Sequence, residues 1–327
     1  MRGSWHGGNA SDGSGVRCYG PAMETIPASV LERLTGAPGA AATSCEATDA
    51  GESLGVVTGG VTRLSGTCHT GGGRETFSLI RKNLRPLTSG RHAIASREPD
   101  HWAYWRREAL AYESGVLPTG PGLRAPRCFG VVDDAVYLED VDGEPEKPVV
   151  AAARLGRWQA TAKIPQVPWL SGHQLAQRVA VSELDWSAVD ADPRMPAVWN
   201  RRGELLDALA RLPKVLSHGD FHSANLLAAD GDTVAVDWCT LGLAPPGADL
   251  AHLQLASREH LAADPAHTDK LTEAYLDGLC GRFTPTHVET TLRVTIALTG
   301  ASRVHWMLAS GHPLPTGYVD FVAAMSP

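Results

Sequence analysis

Residues 215–253 constrain the fold more than any other part of the chain, because they contain a strong β-hairpin signal. Two apolar runs, Leu226–Ala228 and Thr233–Val236, flank an Asp-Gly pair, and an Asp-Gly pair between apolar runs predicts a tight hairpin. The hairpin returns Asp237 to the side of Asn225, which immediately precedes the first run. Asp220 lies five positions before Asn225, in a loop that a glycine separates from the preceding strand.

Asp220, Asn225 and Asp237 therefore form a set of oxygen-bearing side chains that converge at one end of the hairpin. Oxygen ligands without histidine or thiolate suit a hard ion such as Mg²⁺, which is commonly shared with substrate phosphates. Phosphoryl transfer needs this inventory, because its enzymes chiefly position the reactants and neutralise charge. The alternative is structural: Asp and Asn are common turn formers, and Asp249 before an apolar helical run is a good N-cap.

The spacing His218-x-Asp220-x-x-x-x-Asn225, followed by Asp237-Trp238, resembles the catalytic and metal-binding segments of the aminoglycoside phosphotransferase family. That family is a small-molecule branch of the protein-kinase-like fold. The resemblance implies an α+β, two-lobed protein-kinase-like fold, with a small antiparallel-sheet N-lobe and a mainly helical C-lobe. It also implies that Asp220 is the catalytic carboxylate, Asn225 and Asp237 bind metal, His218 braces the loop and Asp249 caps it.

The predicted N-lobe contains three short strands, Leu54–Thr58, Val61–Ser65 and Thr76–Lys82, separated by glycine-rich segments. Gly59 and Gly60, between the first two strands, either let the backbone approach nucleotide phosphates or serve only as a turn.

Lys82 ends the third strand on the same face as Ile80, because alternate residues of a strand share a face. In kinase-like enzymes such a lysine contacts the α- and β-phosphates and is held by a carboxylate from the next helix. The helix predicted over His101–Val116 offers Glu108 and Glu113. The resemblance favours Glu108; a solvated lysine and an exposed glutamate are the alternatives.

A hairpin over residues 126–140 precedes a break in the pattern, where the lobes are predicted to join. By the resemblance, Leu138, Glu139 and Val141 place backbone groups at the adenine edge of the nucleotide. We expect three segments: a disordered N-terminal extension over 1–22, an N-lobe over 23–140 and a C-lobe over 141–327. Met1 and Met23 both remain candidate starts.

Composition excludes several classes of function. The 327-residue chain has a net charge of -7, and an acidic protein without a long basic run is a poor binder of nucleic acid. Its six cysteines show no zinc-like spacing and are expected to be reduced thiols. No apolar run approaches the roughly 18 residues of a membrane span, so a cytoplasmic protein without a membrane partner is expected.

The C-terminal helices are where the resembling family forms its acceptor pocket. From Ala251 onward seven Asp and Glu stand against five Arg and Lys, which leaves the acceptor open because a polycationic aminoglycoside favours a strongly acidic pocket. We expect transfer of the γ-phosphate of ATP, with GTP as the alternative donor, to a hydroxyl of a small molecule. Antibiotic O-phosphorylation is the leading use; the alternatives are a metabolite kinase and a nucleotide-binding pseudokinase without turnover. The sequence does not indicate an oligomeric state.

Overall fold

The computed structural model describes residues 25–50, 57–90, 92–260 and 265–327. The predictions of a disordered 1–22 segment and of a start at Met23 lie outside these residues. Within them the α-helices are α1 Ala28–Thr35, α2 Arg107–Ser114, α3 Pro148–Thr161, α4 Gln174–Ala180, α5 Arg194–Asn200, α6 Arg202–Ala210, α7 Ala248–His260, α8 Pro265–Leu279, α9 Pro285–Ala309 and α10 Tyr318–Ala324. The strands are β1 Ala41–Asp49, β2 Thr58–Thr70, β3 Gly73–Leu84, β4 Leu123–Arg124, β5 Cys128–Val132, β6 Ala135–Glu139, β7 Glu144–Pro145, β8 Val215–Ser217, β9 Leu226–Ala229, β10 Asp232–Ala235 and β11 Gly242–Ala244.

The N-terminal region is an antiparallel sheet in the order β1-β2-β3-β6-β5. Helix α1 packs Val30 and Leu31 against one face, where they meet Leu64, Leu79 and other apolar side chains that alternate along the strands. The opposite face carries Ile80, Val136 and Leu138 toward α2. The sheet is therefore buried on both faces at its centre, and this fixes the register of β3.

One local prediction for this sheet is wrong, and one of its strands was not predicted. Gly59 and Gly60 do not separate two strands but lie inside β2, where the register shifts between Thr58 and Gly60. A β-bulge of this kind lets a strand continue through glycines that would otherwise indicate a turn. Strand β1 was not predicted, while most of the predicted strand Leu54–Thr58 falls outside the described residues.

The C-terminal region is mainly helical, and one large apolar core joins helices α3 to α10. The predicted hairpin is present as β9 and β10, and β4 and β7 extend it to a four-stranded sheet in the order β4-β10-β9-β7. The predicted helix over His101–Val116 is shorter, because only Arg107–Ser114 is helical and the residues before it form turns. Shortly after residue 140, β7 pairs with β9 and so belongs to the sheet of the C-terminal region. The lobe boundary near residue 140 stays a prediction.

None of the helices within the described ranges combines the length and apolar character that crossing a lipid bilayer requires.

Candidate active site

The hairpin brings together the two ends of the predicted metal-binding segment. β9 and β10 pair from Ala229 and Asp232 to Leu226 and Ala235, and the backbone N–H of Val236 donates to the carbonyl of Asn225 at 2.9 Å. Asn225 and Asp237 thus lie just beyond the last pair of the ladder, Leu226 and Ala235. The tight turn is made by Asp230 and Gly231, both with positive φ, as the Asp-Gly pair predicts.

His218 connects the loop to the hairpin from behind. The Nε2 atom of its buried ring lies 2.9 Å from the carbonyl oxygen of Val236. The Nδ1 atom accepts a hydrogen bond from the backbone N–H of Asp220 at 3.2 Å. This pair of contacts assigns a neutral ring protonated at Nε2. Burial lowers the pKa of His218. Through these two contacts the ring links the backbone of Asp220 to that of Val236, next to Asp237, and the bracing role of His218 stays a prediction.

Asp249 holds the other side of the same loop. Its fully buried carboxylate accepts hydrogen bonds from the backbone N–H groups of His218 and Gly219, at 3.0 and 2.8 Å. It also accepts from Ser217 Oγ and Gln159 Nε2 at 2.9 and 3.0 Å. Four donors satisfy the carboxylate, although burial still raises its pKa.

Gly219 is required where it stands. Its φ is +81°, and a Cβ there would lie 2.8 Å from the carbonyl oxygen of Thr240. Both the positive φ and the close approach of the Thr240 carbonyl favour glycine, so this turn requires the glycine of the His-Gly-Asp sequence.

Lys82 occupies the centre of a buried charge cluster. Its Nζ lies 2.6 Å from Glu108 Oε2 and 2.6 Å from Asp237 Oδ1. Burial opposes the charge on Lys82, but Asp237 and Glu108 outweigh that effect and raise its pKa. Glu113, the other candidate, is exposed. Side chains from β3, α2 and the segment after β10 therefore meet at one ammonium group, and the pairing of Lys82 with Glu108 is present.

Asp220 lies at the front of the same site. Its Oδ2 is 3.4 Å from both Asn225 Nδ2 and His222 Nε2. Burial opposes ionisation of Asp220, but its contact with the neighbouring His222 outweighs that effect and holds the pKa of Asp220 well below its usual value. Asp220 is therefore ionised at neutral pH and can accept a proton. His222 was not predicted as a site residue, because its only signal in the sequence is its position within the loop.

These side chains line one cavity of about 600 Å³ between the sheet and the helical region. The predicted site residues that line it are Lys82, Glu108, Leu138, Glu139, Asp220, Asn225 and Asp237. Val61 and Ile80 add apolar walls on the sheet side. Such a cleft, apolar at one end and charged at the other, has room for a nucleotide.

Three predicted residues do not line this cavity among the described residues: Gly59, Gly60 and Val141. His218 and Asp249 also lie outside it, because they hold the loop from behind. Glu139 lines the cavity, but its carboxylate is paired with Arg124 at 2.7 Å. Trp102 and Arg178 line the cavity and were not predicted, because their proximity depends on how α4 packs.

The donor chemistry suits a hard cation. Asn225 donates through Nδ2 to the carbonyl of Asp220 at 3.0 Å, so its side-chain oxygen remains as an acceptor. Asp237 uses Oδ1 toward Lys82 and has a second carboxylate oxygen. The described residues contain no cluster of three His, Cys, Asp or Glu side chains suited to a metal. Two oxygen ligands from protein fit Mg²⁺, which keeps waters and shares substrate phosphates.

Comparisons with known proteins identify a similar family and similar folds. Residues 135–288 match the model of the phosphotransferase enzyme family. A solved amicoumacin kinase in complex with AMP-PNP, Ca²⁺ and Ami is similar with a TM-score of 0.53 and 13% identity, over 85% of this chain and 86% of that one. Aminoglycoside phosphotransferase APH(4)-Ia gives a TM-score of 0.52 and 16% identity, over 91% and 97% of the two chains.

A choline kinase from Cryptosporidium parvum gives a TM-score of 0.51 and 12% identity, over 90% of this chain and 92% of that one. A search of curated protein sequences gave no match. The resemblance to the aminoglycoside phosphotransferase family and the two-lobed, protein-kinase-like α+β fold are therefore confirmed.

Proposed function

Since residues 135–288 match the phosphotransferase enzyme family within a protein-kinase-like fold, we propose that the chain transfers the γ-phosphate of ATP to a hydroxyl of a small molecule. The observation that carries this proposal is the convergence of Lys82, Asp220, Asn225 and Asp237 on one cavity. GTP is the alternative donor. Antibiotic O-phosphorylation is the leading use, in a protein expected to be cytoplasmic.

Asp220 is the proposed catalytic residue. Its low pKa keeps it as a carboxylate, which orients the acceptor hydroxyl and accepts its proton. As the bond from the acceptor oxygen to the γ-phosphorus forms, the bond from that phosphorus to the bridging oxygen breaks and ADP leaves. The contacts from His218 and Asn225 hold the loop, so little motion is needed when the acceptor arrives.

Lys82 is the proposed ligand of the nucleotide phosphates, positioned by Glu108. Its second carboxylate partner, Asp237, and Asn225 are the proposed metal ligands. A bound Mg²⁺ would neutralise charge on the phosphates. Leu138 and Glu139 are placed by β6 at the cavity wall, where backbone groups of this segment are proposed to face the adenine edge.

A metabolite kinase is the second candidate, and cavity size favours it. A smaller cavity between helices α4, α7 and α9, which shares the lining residue Arg178 with the first one, has a volume of about 120 Å³. Sites for drug-sized ligands are commonly about 300 Å³ or more, so this space suits a smaller acceptor or part of a larger one.

The test is ATP consumption by wild-type and Asp220→Ala proteins, with Mg²⁺ and a panel of antibiotics and hydroxylated metabolites. We expect the substitution to lower turnover about a thousandfold while nucleotide binding is kept, because Asp220 acts on the acceptor. Asp207→Ala, which changes an exposed aspartate of α6, is the matched control and should leave turnover unchanged.

Equal turnover by wild-type and Asp220→Ala proteins would refute the catalytic assignment. Nucleotide binding without turnover of any acceptor in the panel would instead favour the pseudokinase.

A further inference from the structure

A chain of buried hydrogen bonds ends on the carboxylate of Asp249, behind the loop that carries Asp220. Its two side chains are Gln159 of α3 and Tyr275 of α8, and both are buried. Among the described residues, neither lines the cavity that contains Asp220. Any effect that these two side chains have on a ligand in that cavity is therefore indirect.

The direction of the hydrogen bonds in this chain is determined by its first member. The backbone N–H of Gly247 can only donate, and it donates to the hydroxyl oxygen of Tyr275 at 2.9 Å. The hydroxyl of Tyr275 in turn donates its proton to Oε1 of Gln159. Burial raises the pKa of Tyr275, so the hydroxyl keeps this proton at neutral pH. The side-chain amide of Gln159 is thereby oriented, with its oxygen toward α8 and its nitrogen toward Asp249.

The oriented amide of Gln159 donates twice. Its Nε2 donates to the carbonyl of Leu216 in β8 at 2.9 Å and to Oδ2 of Asp249 at 3.0 Å. If the amide were reversed, its oxygen would face that carbonyl and that carboxylate, and all three groups are acceptors. The hydroxyl of Tyr275 favours the observed orientation, because it supplies the donor that Oε1 requires.

Asp249 connects this amide to the loop. Its carboxylate accepts from the consecutive backbone N–H groups of His218 and Gly219, at 3.0 and 2.8 Å, and Asp220 is the next residue. The Oδ2 atom receives both the N–H of His218 and the amide of Gln159. Loss of the amide would leave Oδ2 with one of these two donors, and the backbone before Asp220 would be held less firmly.

Glycines bring α3 and α8 close enough for this contact. A Cβ on Gly156 would overlap the carbonyl oxygen of Tyr275. A Cβ on Gly278 would likewise overlap the carbonyl oxygen of Ala153. Gly156 lies three residues before Gln159 in α3, and Gly278 lies three residues after Tyr275 in α8. The close approach of the two backbones thus places the amide and the hydroxyl within hydrogen-bond distance.

We propose that Gln159 and Tyr275 are positioning residues, which through Asp249 fix the backbone of the loop that carries Asp220. This inference rests on the proposed function, because the catalytic role of Asp220 is what makes the position of the loop matter. A shift of about 1 Å in a catalytic group can lower turnover about a hundredfold.

The first test compares turnover and nucleotide binding in Tyr275→Phe, which removes one oxygen atom, and in Gln159→Leu, which removes the amide. Turnover is measured with the acceptor from the panel that the wild type uses fastest. We expect kcat to fall about tenfold in Tyr275→Phe and about a hundredfold in Gln159→Leu. The Kd of AMP-PNP and the number of sites per chain should be unchanged, because neither residue lines the cavity. An unfolded fraction would instead lower the number of sites in proportion to kcat.

The second test needs no acceptor. Hydrogen–deuterium exchange of residues 215–222, followed by mass spectrometry, should be about tenfold faster in both variants. Gln254→Leu is the matched control, because Gln254 is also buried but donates to α8, namely to the carbonyl of Thr268 and the hydroxyl of Thr272 at 3.2 and 2.9 Å. It should keep the kcat and the loop exchange of the wild type.

An unchanged kcat in both variants, or loop exchange no faster than in Gln254→Leu, would overturn the inference. A loss of AMP-PNP sites in proportion to kcat would also overturn it, because the two residues would then serve folding alone. Faster loop exchange in both variants, together with a wild type that binds AMP-PNP but turns over no acceptor, would support the positioning of the loop and refute the phosphotransferase.

Discussion

Two buried cations lie beside Glu108, and they differ in the groups that bind them. Lys82 lies between two carboxylates, those of Glu108 and Asp237. Arg107 is fully buried and has backbone carbonyls as its partners. Its five N–H contacts are to Trp102 at 2.7 Å, Trp169 at 2.8 Å, Cys239 at 3.3 Å, Pro99 at 2.7 Å and His101 at 2.7 Å.

The carboxylate partners of Lys82 can be exchanged for those of a ligand, whereas the backbone carbonyls that bind Arg107 are part of the fold. Carboxylates around a lysine can be replaced by phosphate oxygens, so the proposed binding of a nucleotide would let Lys82 change partners. A guanidinium has five donors in a fixed fork, and Arg107 uses all of them to join three separate segments of chain. Burial lowers the pKa of Arg107 to about 10, which still leaves it charged at neutral pH. Arg107 thus fixes α2, and with it Glu108, relative to the segment that follows Asp237.

The largest effect is expected for Arg107→Met. The substitution removes a donor from five carbonyls, of which that of His101 still accepts the backbone N–H of Tyr104, and each buried group left unsatisfied costs about 1–3 kcal/mol before relaxation. We expect the free energy of unfolding to fall by about 5 kcal/mol, measured by urea denaturation followed by circular dichroism.

Arg106→Met is the control for this prediction, because Arg106 is exposed and adjacent in sequence; its stability should change by less than about 0.5 kcal/mol. Arg107→Lys should lie between the two, since an ammonium has three donors. If Arg107→Met and Arg106→Met unfold at the same urea concentration, Arg107 does not hold the segments together.

The contrast also shows how much the sequence could predict. Lys82, Glu108, Asp220, Asn225 and Asp237 were predicted as one site and the structure brings them to one cavity. Their placement follows from short-range rules, namely alternation along β3, the first turn of α2 and the Asp-Gly hairpin. Their roles stay predictions until tested.

The contribution of Arg107 could not be predicted, because it depends on contacts between residues far apart in the chain. The carbonyls that receive Arg107 come from turns and loops, which carry no spacing pattern. Strand β1 was missed for a related reason: Ala41–Asp49 is mostly exposed and lacks the alternation of large apolar residues that indicates a strand.

An intermediate effect is expected for Lys82→Met, which leaves Glu108 and Asp237 as neighbouring carboxylates without a cation. Near pH 8 we expect a loss of about 3 kcal/mol in unfolding free energy, together with a raised nucleotide KM. Burial already raises the pKa of Glu108, and removal of Lys82 raises it further. A carboxyl group of this kind stabilises the fold below its unfolded pKa and loses that contribution as pH rises through its folded pKa. The deficit should therefore shrink as pH is lowered toward about 5.

The double variant Lys82→Met/Glu108→Gln should recover most of the stability near pH 8, because an uncharged amide replaces the buried carboxylate. Lys163→Met changes an exposed lysine and serves as the control. A pH-independent deficit in Lys82→Met, or no recovery in the double variant, would show that the three charges are not coupled.

The smallest effect on stability, and the sharpest on function, is expected for Asp237→Asn. Glu108 still neutralises Lys82, and the amide keeps an acceptor, so the unfolding free energy should fall by no more than about 1 kcal/mol at neutral pH. Lys82 lowers the pKa of Asp237 against the effect of burial. That stabilisation is present above the unfolded pKa and lost as pH falls, so the two proteins should converge in acid.

Asp230→Asn is a close control for this variant, because Asp230 and Asp237 belong to the same hairpin segment and both have positive φ, 53° and 63°. Asn tolerates that conformation at both positions, so backbone strain cancels in the comparison. The dependence of nucleotide affinity on Mg²⁺ should weaken in Asp237→Asn and persist in Asp230→Asn. Superimposable Mg²⁺ titrations of wild-type and Asp237→Asn proteins would mean that the exchangeable carboxylate serves Lys82 and not a metal.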